Sequence, residues 1–272
     1  MGRGTALTTG ANSGIGLATV LELARRGFHS VGTVRSEAKA DVVAKAAADA
    51  GVEVETTILD VTDAVGCATV IEQYQPSALV NNAGYSITGA IEDVDDDEAR
   101  HAFDTMVLAP MRLTRLALPY MREAGSGRVV MVSSIYGRTS TPLTGWYQGC
   151  KHALEGLSDA LRMEVARDGI SVVLVEPGGF RTGIWEETER EIAKREGSRY
   201  DPSYKRTLST TRLYQPLMGE PSRCASVIAA ACTTRWPRAR YLVGYDAHGL
   251  AFWSQVTPTR IKDEIVRRTL GL

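Results

Sequence analysis

Tyr147 and Lys151 stand four residues apart at the start of a helix that the sequence predicts from about Tyr147 to Arg167, so both side chains leave one face and reach one small volume. A free phenol, with a pKa of about 10, exchanges protons poorly near neutrality; an ammonium one helical turn away favours the phenolate and lowers that value. Ser134 follows the apolar run Val129 to Ser133. Its hydroxyl can bond the same substrate oxygen as Tyr147 and polarise a carbonyl while a hydride arrives from a cofactor. A Tyr and a Lys at this spacing also occur by coincidence, so their meaning depends on their company.

That company begins at the N-terminus. The run Thr9-Gly10-Ala11-Asn12-Ser13-Gly14-Ile15-Gly16 joins a short β-rich segment to a helix. Glycines allow positive φ and a bare approach to backbone amides, while the helix N-terminus supplies partial positive charge: a cradle for a pyrophosphate, or else a tight strand-to-helix connection. About twenty residues on, where a dinucleotide fold that binds a free ribose 2′-hydroxyl carries an acid, this chain has Val34 and Arg35. The planar fork of Arg35 suits a phosphate, which favours NADP(H) over NAD(H), although Glu37 is near enough to pair with it.

These residues need a scaffold, and the hydropathy pattern supplies one. Apolar runs at Thr5–Thr8, Ser30–Val34, Val54–Leu59, Ala78–Val80, Arg128–Val132, Ile170–Val175 and Arg240–Val243 alternate with helical stretches, among them Gly14–Arg26, Glu37–Ala50, Ala64–Tyr74 and Asp97–Glu123. Strands separated by helices join through right-handed crossovers into a parallel sheet covered on both faces. The expectation is therefore a single-domain, doubly wound α/β fold (Rossmann fold) with seven parallel strands over 1–272, and ligands bound beyond the C-terminal strand ends. Two segments depart from the pattern. The acidic run Asp93 to Glu98 reads as a solvated loop entering a helix. Residues 186–216, dense in charge and turn formers, read as a mobile substrate lid or a surface excursion.

The 272 residues carry a formal charge of -1, which offers no global field to hold nucleic acid or an anionic membrane. Cys67, Cys150, Cys224 and Cys232 form no CxxC pair and read as free thiols. No secretory signal, membrane span, lipidation signal or metal site is apparent, so the chain is expected in the cytoplasm with small-molecule partners.

Taken together, the chain resembles the classical short-chain dehydrogenases/reductases over essentially its whole length, most closely the hydroxysteroid and retinol dehydrogenase branch. The resemblance rests on the spacing of Gly10, Gly14 and Gly16, on Asn81-Asn82-Ala83-Gly84, on Ser134, on Tyr147 with Lys151, and on Pro177-Gly178 followed by Thr182. It implies that Tyr147 is the general acid or base, that Lys151 lowers its pKa and holds the nicotinamide ribose, and that Ser134 orients the reacting oxygen. It implies that Asp60 and Val61 contact the adenine, that Asn82, Ala83 and Gly84 line the ribose side, and that the Phe180 backbone and Thr182 fix the carboxamide. The family commonly has an Asn in the helix before the fifth strand; this chain has Met106, whose thioether lacks an amide's donors and acceptor. A catalytically weak NADP(H)-binding or sensing protein is thus the alternative to an oxidoreductase acting on a secondary alcohol or ketone. Sugar-nucleotide epimerases, which also use a Tyr and Lys pair, fit poorly because the chain lacks room for their added domain. Tyr85, Ile135, Trp146, Trp185 and the stretch up to Met218 are candidate pocket walls, suiting a hydrophobic substrate, and the resemblance implies a homo-oligomer (dimer or tetramer).

Overall fold

Because successive strand side chains point to opposite faces, each buried strand divides its apolar residues between two cores. The computed structural model describes residues 3–272, the side chains of 184–186 excepted. In chain order the elements are β1 (Thr5–Thr8), α1 (Gly14–Arg25), β2 (His29–Val34), α2 (Glu37–Ala50), β3 (Glu55–Ile58), α3 (Ala64–Tyr74), β4 (Ala78–Asn81), α4 (Asp96–Phe103), α5 (Ala109–Glu123), β5 (Gly127–Val132), α6 (Gly145–Glu164), β6 (Ile170–Pro177), α7 (Ile184–Ala193), α8 (Asp201–Tyr214), α9 (Pro221–Thr233), β7 (Arg240–Val243), α10 (Tyr245–Val256) and α11 (Thr259–Leu270). One seven-stranded sheet has the order β3-β2-β1-β4-β5-β6-β7, and every pairing is parallel.

Leu7, Leu79, Val129, Met131, Val172 and Leu174 face a core closed by residues of α3, α5 and α6. Their neighbours Ala6, Val80, Val130, Val132, Val173 and Val175 face the opposite core, closed by Leu23 of α1 and by Cys224 and Ile228 of α9. Burial on both faces is why these strands read as nearly continuous apolar runs. Strand order reverses between β1 and β4, which opens a crevice beyond their C-terminal ends.

Three regions add to expectation or depart from it. The long helical stretch before β5, expected as one helix or two abutting ones, is two helices joined by a π-turn at Asp104–Leu108, with Met106 at its centre. Residues 186–216 are not an irregular loop: most of them fall in α7 and α8. Their apolar periodicity is weak because they are held by a few anchors, Ile192 and Tyr204 packing on Ala90 and Leu143, and tertiary anchoring of this kind overrides a poor stripe. The Tyr204 hydroxyl donates to Asp93 Oδ2 and accepts from Ala90 N, both at 2.6 Å; Ser198 donates to Asp93 at 2.6 Å and Arg195 pairs with Glu98 at 2.8 Å. The acidic run is therefore the dock for the α7–α8 segment, besides supplying Asp95 as N-cap of α4. Finally, two helices follow β7. In α10 the buried residues are Ala247 and Ala251, and α11 buries none, so neither carries a large apolar stripe.

Candidate active site

Every candidate site residue of the sequence lines one cavity of about 1330 Å³ at the C-terminal edge of the sheet. At its β1 side the glycines are required by close approach. A Cβ on Gly10 would sit 3.0 Å from Ala83 Cα, one on Gly14 2.9 Å from the Thr182 methyl, and one on Gly16 2.5 Å from Asn82 Nδ2 and closer still to the Gly10 carbonyl oxygen. Asn82 locks the arrangement, donating from Nδ2 to Thr9 O (2.9 Å) and Gly10 O (3.2 Å). The Thr9 hydroxyl in turn accepts from Asn82 N and Ala83 N at 3.0 Å. Ser13 precedes α1 in extended backbone and makes no capping bond, and no acid lies in the first turn. The first amides of α1 and its dipole are thus turned to the cavity beside Asn12 and Ile15, as an anionic phosphate requires.

At the end of β2, Arg35 lines the cavity, and so does Lys39 one turn into α2. Neither forms an ion pair among the described residues, and the anticipated Arg35–Glu37 pair is absent there. Asp60 accepts from Thr62 N (2.9 Å) and its hydroxyl (2.7 Å), which holds its pKa below the usual value, Arg35 adding a smaller pull. Val61 lies beside it on the cavity wall.

The chemistry-bearing side chains come from two places, the end of β5 and the start of α6. Ser134 leaves β5 in extended backbone and caps the turn Ile135–Gly137, accepting from Tyr136 N at 3.1 Å. Tyr147 and Lys151 come from the first two turns of α6. Tyr136 and Tyr147 meet edge-on with centroids 6.4 Å apart. Lys151 Nζ donates to Val132 O at 2.9 Å and lies 5.6 Å from the centroid of the Tyr147 ring. The expected lowering of the phenol pKa is not met in this geometry. Burial pushes Tyr147 up to about 12, with a Ser134 hydrogen bond pulling the other way, because the ammonium sits over the ring rather than at the hydroxyl. Burial also brings Lys151 down to about 8.

Pro177, Gly178, Phe180 and Thr182 close the cavity from the end of β6. Their loop is pinned by a residue the sequence reading missed: Asp246, at the start of α10, accepts from Gly179 N at 2.5 Å. No motif marks Asp246, whereas Lys39, four residues beyond Arg35, had a spacing that could have revealed it. Met106 does not reach the cavity. It is 1% exposed and packs with Tyr147, Cys150 and Phe103, its sulfur 3.5 Å from where a Gly84 Cβ would lie.

Tyr85, Ile135 and Met218 line the cavity as anticipated, joined by Leu217 and Leu250. Trp146 does not: it stacks edge-on with Phe103 at 6.4 Å and donates to Ile91 O at 3.3 Å. The Trp185 side chain lies outside the described residues. From α8, Thr207, Thr210, Thr211 and Tyr214 present one helical face to the same space. Among the described residues no group of His, Cys, Asp and Glu could hold a metal ion, and no helix is long and apolar enough to cross a membrane.

A family model described as short chain dehydrogenase matches residues 4–193. The uncharacterized oxidoreductase YusZ of Bacillus subtilis (strain 168) is 34% identical over 279 residues, covering 99% of each chain. Retinol dehydrogenase 16 of Mus musculus is 31% identical, with 95% of this chain matching 86% of that one. Among solved structures, a variant of actinorhodin polyketide ketoreductase crystallised with NADPH has a TM-score of 0.77 at 28% identity, over 92% of this chain and 99% of the other.

Proposed function

Since this chain belongs to the short-chain dehydrogenase family, we propose that it interconverts a secondary alcohol and a ketone with NADP(H), acting on a hydrophobic small molecule. Oxidoreductase chemistry on alcohols and carbonyls follows from the family; the cofactor choice and the substrate are the further steps. The observation that carries the reading is that Ser134, Tyr147 and Lys151, delivered by separate elements, line the very cavity that the glycine loop also lines. The bound nicotinamide would supply or accept the hydride.

The chain's own residues would do the rest. Gly10, Gly14 and Gly16 with the α1 amides would cradle the pyrophosphate, Asp60 and Val61 would face the adenine, and Asn82, Ala83 and Gly84 the ribose. The loop from Pro177 to Thr182, held by Asp246, would seat the carboxamide, and Lys151 the adjoining ribose hydroxyls. Ser134 would hold the substrate oxygen. Tyr147, with its phenol pushed up to about 12, carries its proton at neutral pH and is set to donate it to that oxygen as a carbonyl is reduced.

NADP(H) is supported by Arg35 at the end of β2 and Lys39 in the first turn of α2, neither of which forms an ion pair among the described residues, and by the related ketoreductase crystallised with NADPH. An apolar substrate is supported by Ile135, Leu217, Met218 and Leu250 in the wall and by the name of the mouse retinol dehydrogenase. The α7–α8 segment would act as its lid. Steady-state rates with NADPH and NADH across a panel of apolar ketones test the reading. NADPH turnover on at least one of them, tenfold or more above NADH, is expected; tight NADPH binding with no turnover across the panel would favour the sensing alternative.

A further inference from the structure

Below the Ser134 turn lies a cluster of buried charge that the chemistry above does not use. Glu176, the residue before Pro177, has no exposed surface, and Glu155 is 7% exposed. Arg240 of β7 reaches both: its Nε donates to Glu155 Oε2 at 3.2 Å and lies 3.1 Å from Glu176 Oε1, while its Nη2 pairs with Asp159 at 2.5 Å. Arg138, just past the Ile135–Gly137 turn, puts Nε 2.9 Å from Glu176 Oε2. Arg162 completes the set by pairing with Asp159 at 2.5 Å. The turn is shut against this cluster, because a Cβ on Gly137 would lie 2.8 Å from both Glu155 Cγ and Ser133 Oγ.

Each partner belongs to a segment that also carries an active-site group. Arg138 is four residues past Ser134, Glu155 is one turn beyond Lys151 on α6, and Glu176 adjoins Pro177-Gly178. Among the described residues, Lys151 itself has a single hydrogen bond, to a neutral carbonyl, and no carboxylate in ion-pair contact. We propose that Glu155 and Glu176, clamped by Arg138 and Arg240, are positioning residues: they hold the Ser134 turn, the Tyr147–Lys151 helix and the Pro177–Gly178 strand end in register, and Glu155, one turn beyond Lys151 on the same helix face, helps keep that amine an ammonium. This rests on the roles proposed above for Tyr147 and Lys151. The electrostatics agree. Burial lowers Lys151, against which Cys150 and then Glu155 push it back up, and burial together with Glu155 brings Glu176 up to about 7. The charged and titratable groups facing the pair are Arg138 from the turn, Lys151, Asp159 and Arg162 from α6, and Arg240 from β7, with the Ser133 hydroxyl at the end of β5.

The test is the pH dependence of kcat for ketone reduction in Glu155→Gln, Glu176→Gln and Glu176→Asp. Both glutamine variants are expected to bind NADPH within about twofold of the parent and to lose roughly tenfold in kcat, and Glu155→Gln to show an alkaline limb moved down by about one pH unit, since losing the countercharge weakens the ammonium. Glu176→Asp, which keeps a carboxyl between Arg138 and Arg240, restores kcat to within about threefold of the parent. An unmoved limb in Glu155→Gln, or a loss of rate that merely follows the folded fraction, overturns the proposal. Two activity-free readouts decide it even if the parent reduces no carbonyl, the outcome that would instead sink the enzyme reading. The parent's infrared spectrum should show a buried carboxyl losing its proton between pH 6 and 8, and Arg138→Lys should exchange amide hydrogens in 134–138 at least tenfold faster. Absence of the band together with unchanged exchange overturns the assignment.

Discussion

Replacing Gly16 with alanine should cripple dinucleotide binding, while the same change at Gly156 should do the reverse of harm. The new methyl at position 16 would stand 2.5 Å from Asn82 Nδ2 and nearer still to the Gly10 carbonyl oxygen, where an unstrained contact needs about 3.5 Å. A side chain could rotate away from a displacement of about 1 Å, but the Gly10 oxygen is backbone and Asn82 is held by two bonds to the same loop. The helix start must therefore move off the loop, at an overpacking cost of about 1–3 kcal/mol. At about 1.4 kcal/mol per decade, NADPH affinity falls roughly five- to a hundred-and-fifty-fold. Gly156 is an exposed position inside α6 with nothing within 4 Å of a new Cβ. Alanine there should add about 0.5–1 kcal/mol of stability by restricting the unfolded chain. Fluorescence titration with NADPH and thermal melting of both variants measure the contrast. Parental affinity in Gly16→Ala would refute the claim that the cofactor cradle is set by this contact.

Further expectations concern the rim and the charged interior. Arg35→Ala should weaken NADPH binding about ten- to a hundredfold, the worth of a charge-assisted hydrogen bond to phosphate, and leave NADH unchanged, as paired KM values would show. Tyr204→Phe strips a partner from Ala90 N and Asp93, where the α7–α8 segment docks; it should cost about 1–3 kcal/mol in urea unfolding and, if that segment covers the substrate, raise the ketone KM more than it lowers kcat. Glu176 sits at about 7 in the folded chain against its usual 4.5, so between those values the folded state holds a proton that the unfolded state has released. Its contribution to stability therefore declines as pH rises through that window, and Glu176→Gln should flatten that part of a stability-versus-pH curve measured by denaturant titration.

The sheet was the most legible part of the chain, because strands buried on both faces and helices with one apolar side leave different periods in the sequence. The helices Glu37–Ala50 and Ala64–Tyr74 and the strand Arg240–Val243 have the very bounds the pattern suggests. That the glycine loop, Ser134 and the Tyr147–Lys151 pair meet at one cavity was equally readable, since each is marked by local spacing and follows a strand end or opens a helix. What the sequence concealed depends on contacts between distant segments. The α7–α8 helices lean on Asp93, Glu98 and Ala90, a hundred residues upstream. Asp246 gains its place only because Gly244, at φ +112, turns the chain back over Gly178. The placement of the Lys151 ammonium over the Tyr147 ring was hidden for the same reason: a four-residue spacing says that two groups share a face, not which atoms meet.

The most direct test of the whole account is the turnover of Tyr147→Phe with NADPH and a ketone that the parent reduces. The substitution removes one oxygen and its proton from the cavity wall and leaves the glycine loop, Arg35 and the Asp246-pinned loop untouched. Ketone reduction should fall by about a hundred- to ten-thousandfold, with NADPH affinity held within a factor of two. Retention of parental kcat would contradict the assignment of that phenol as the proton donor.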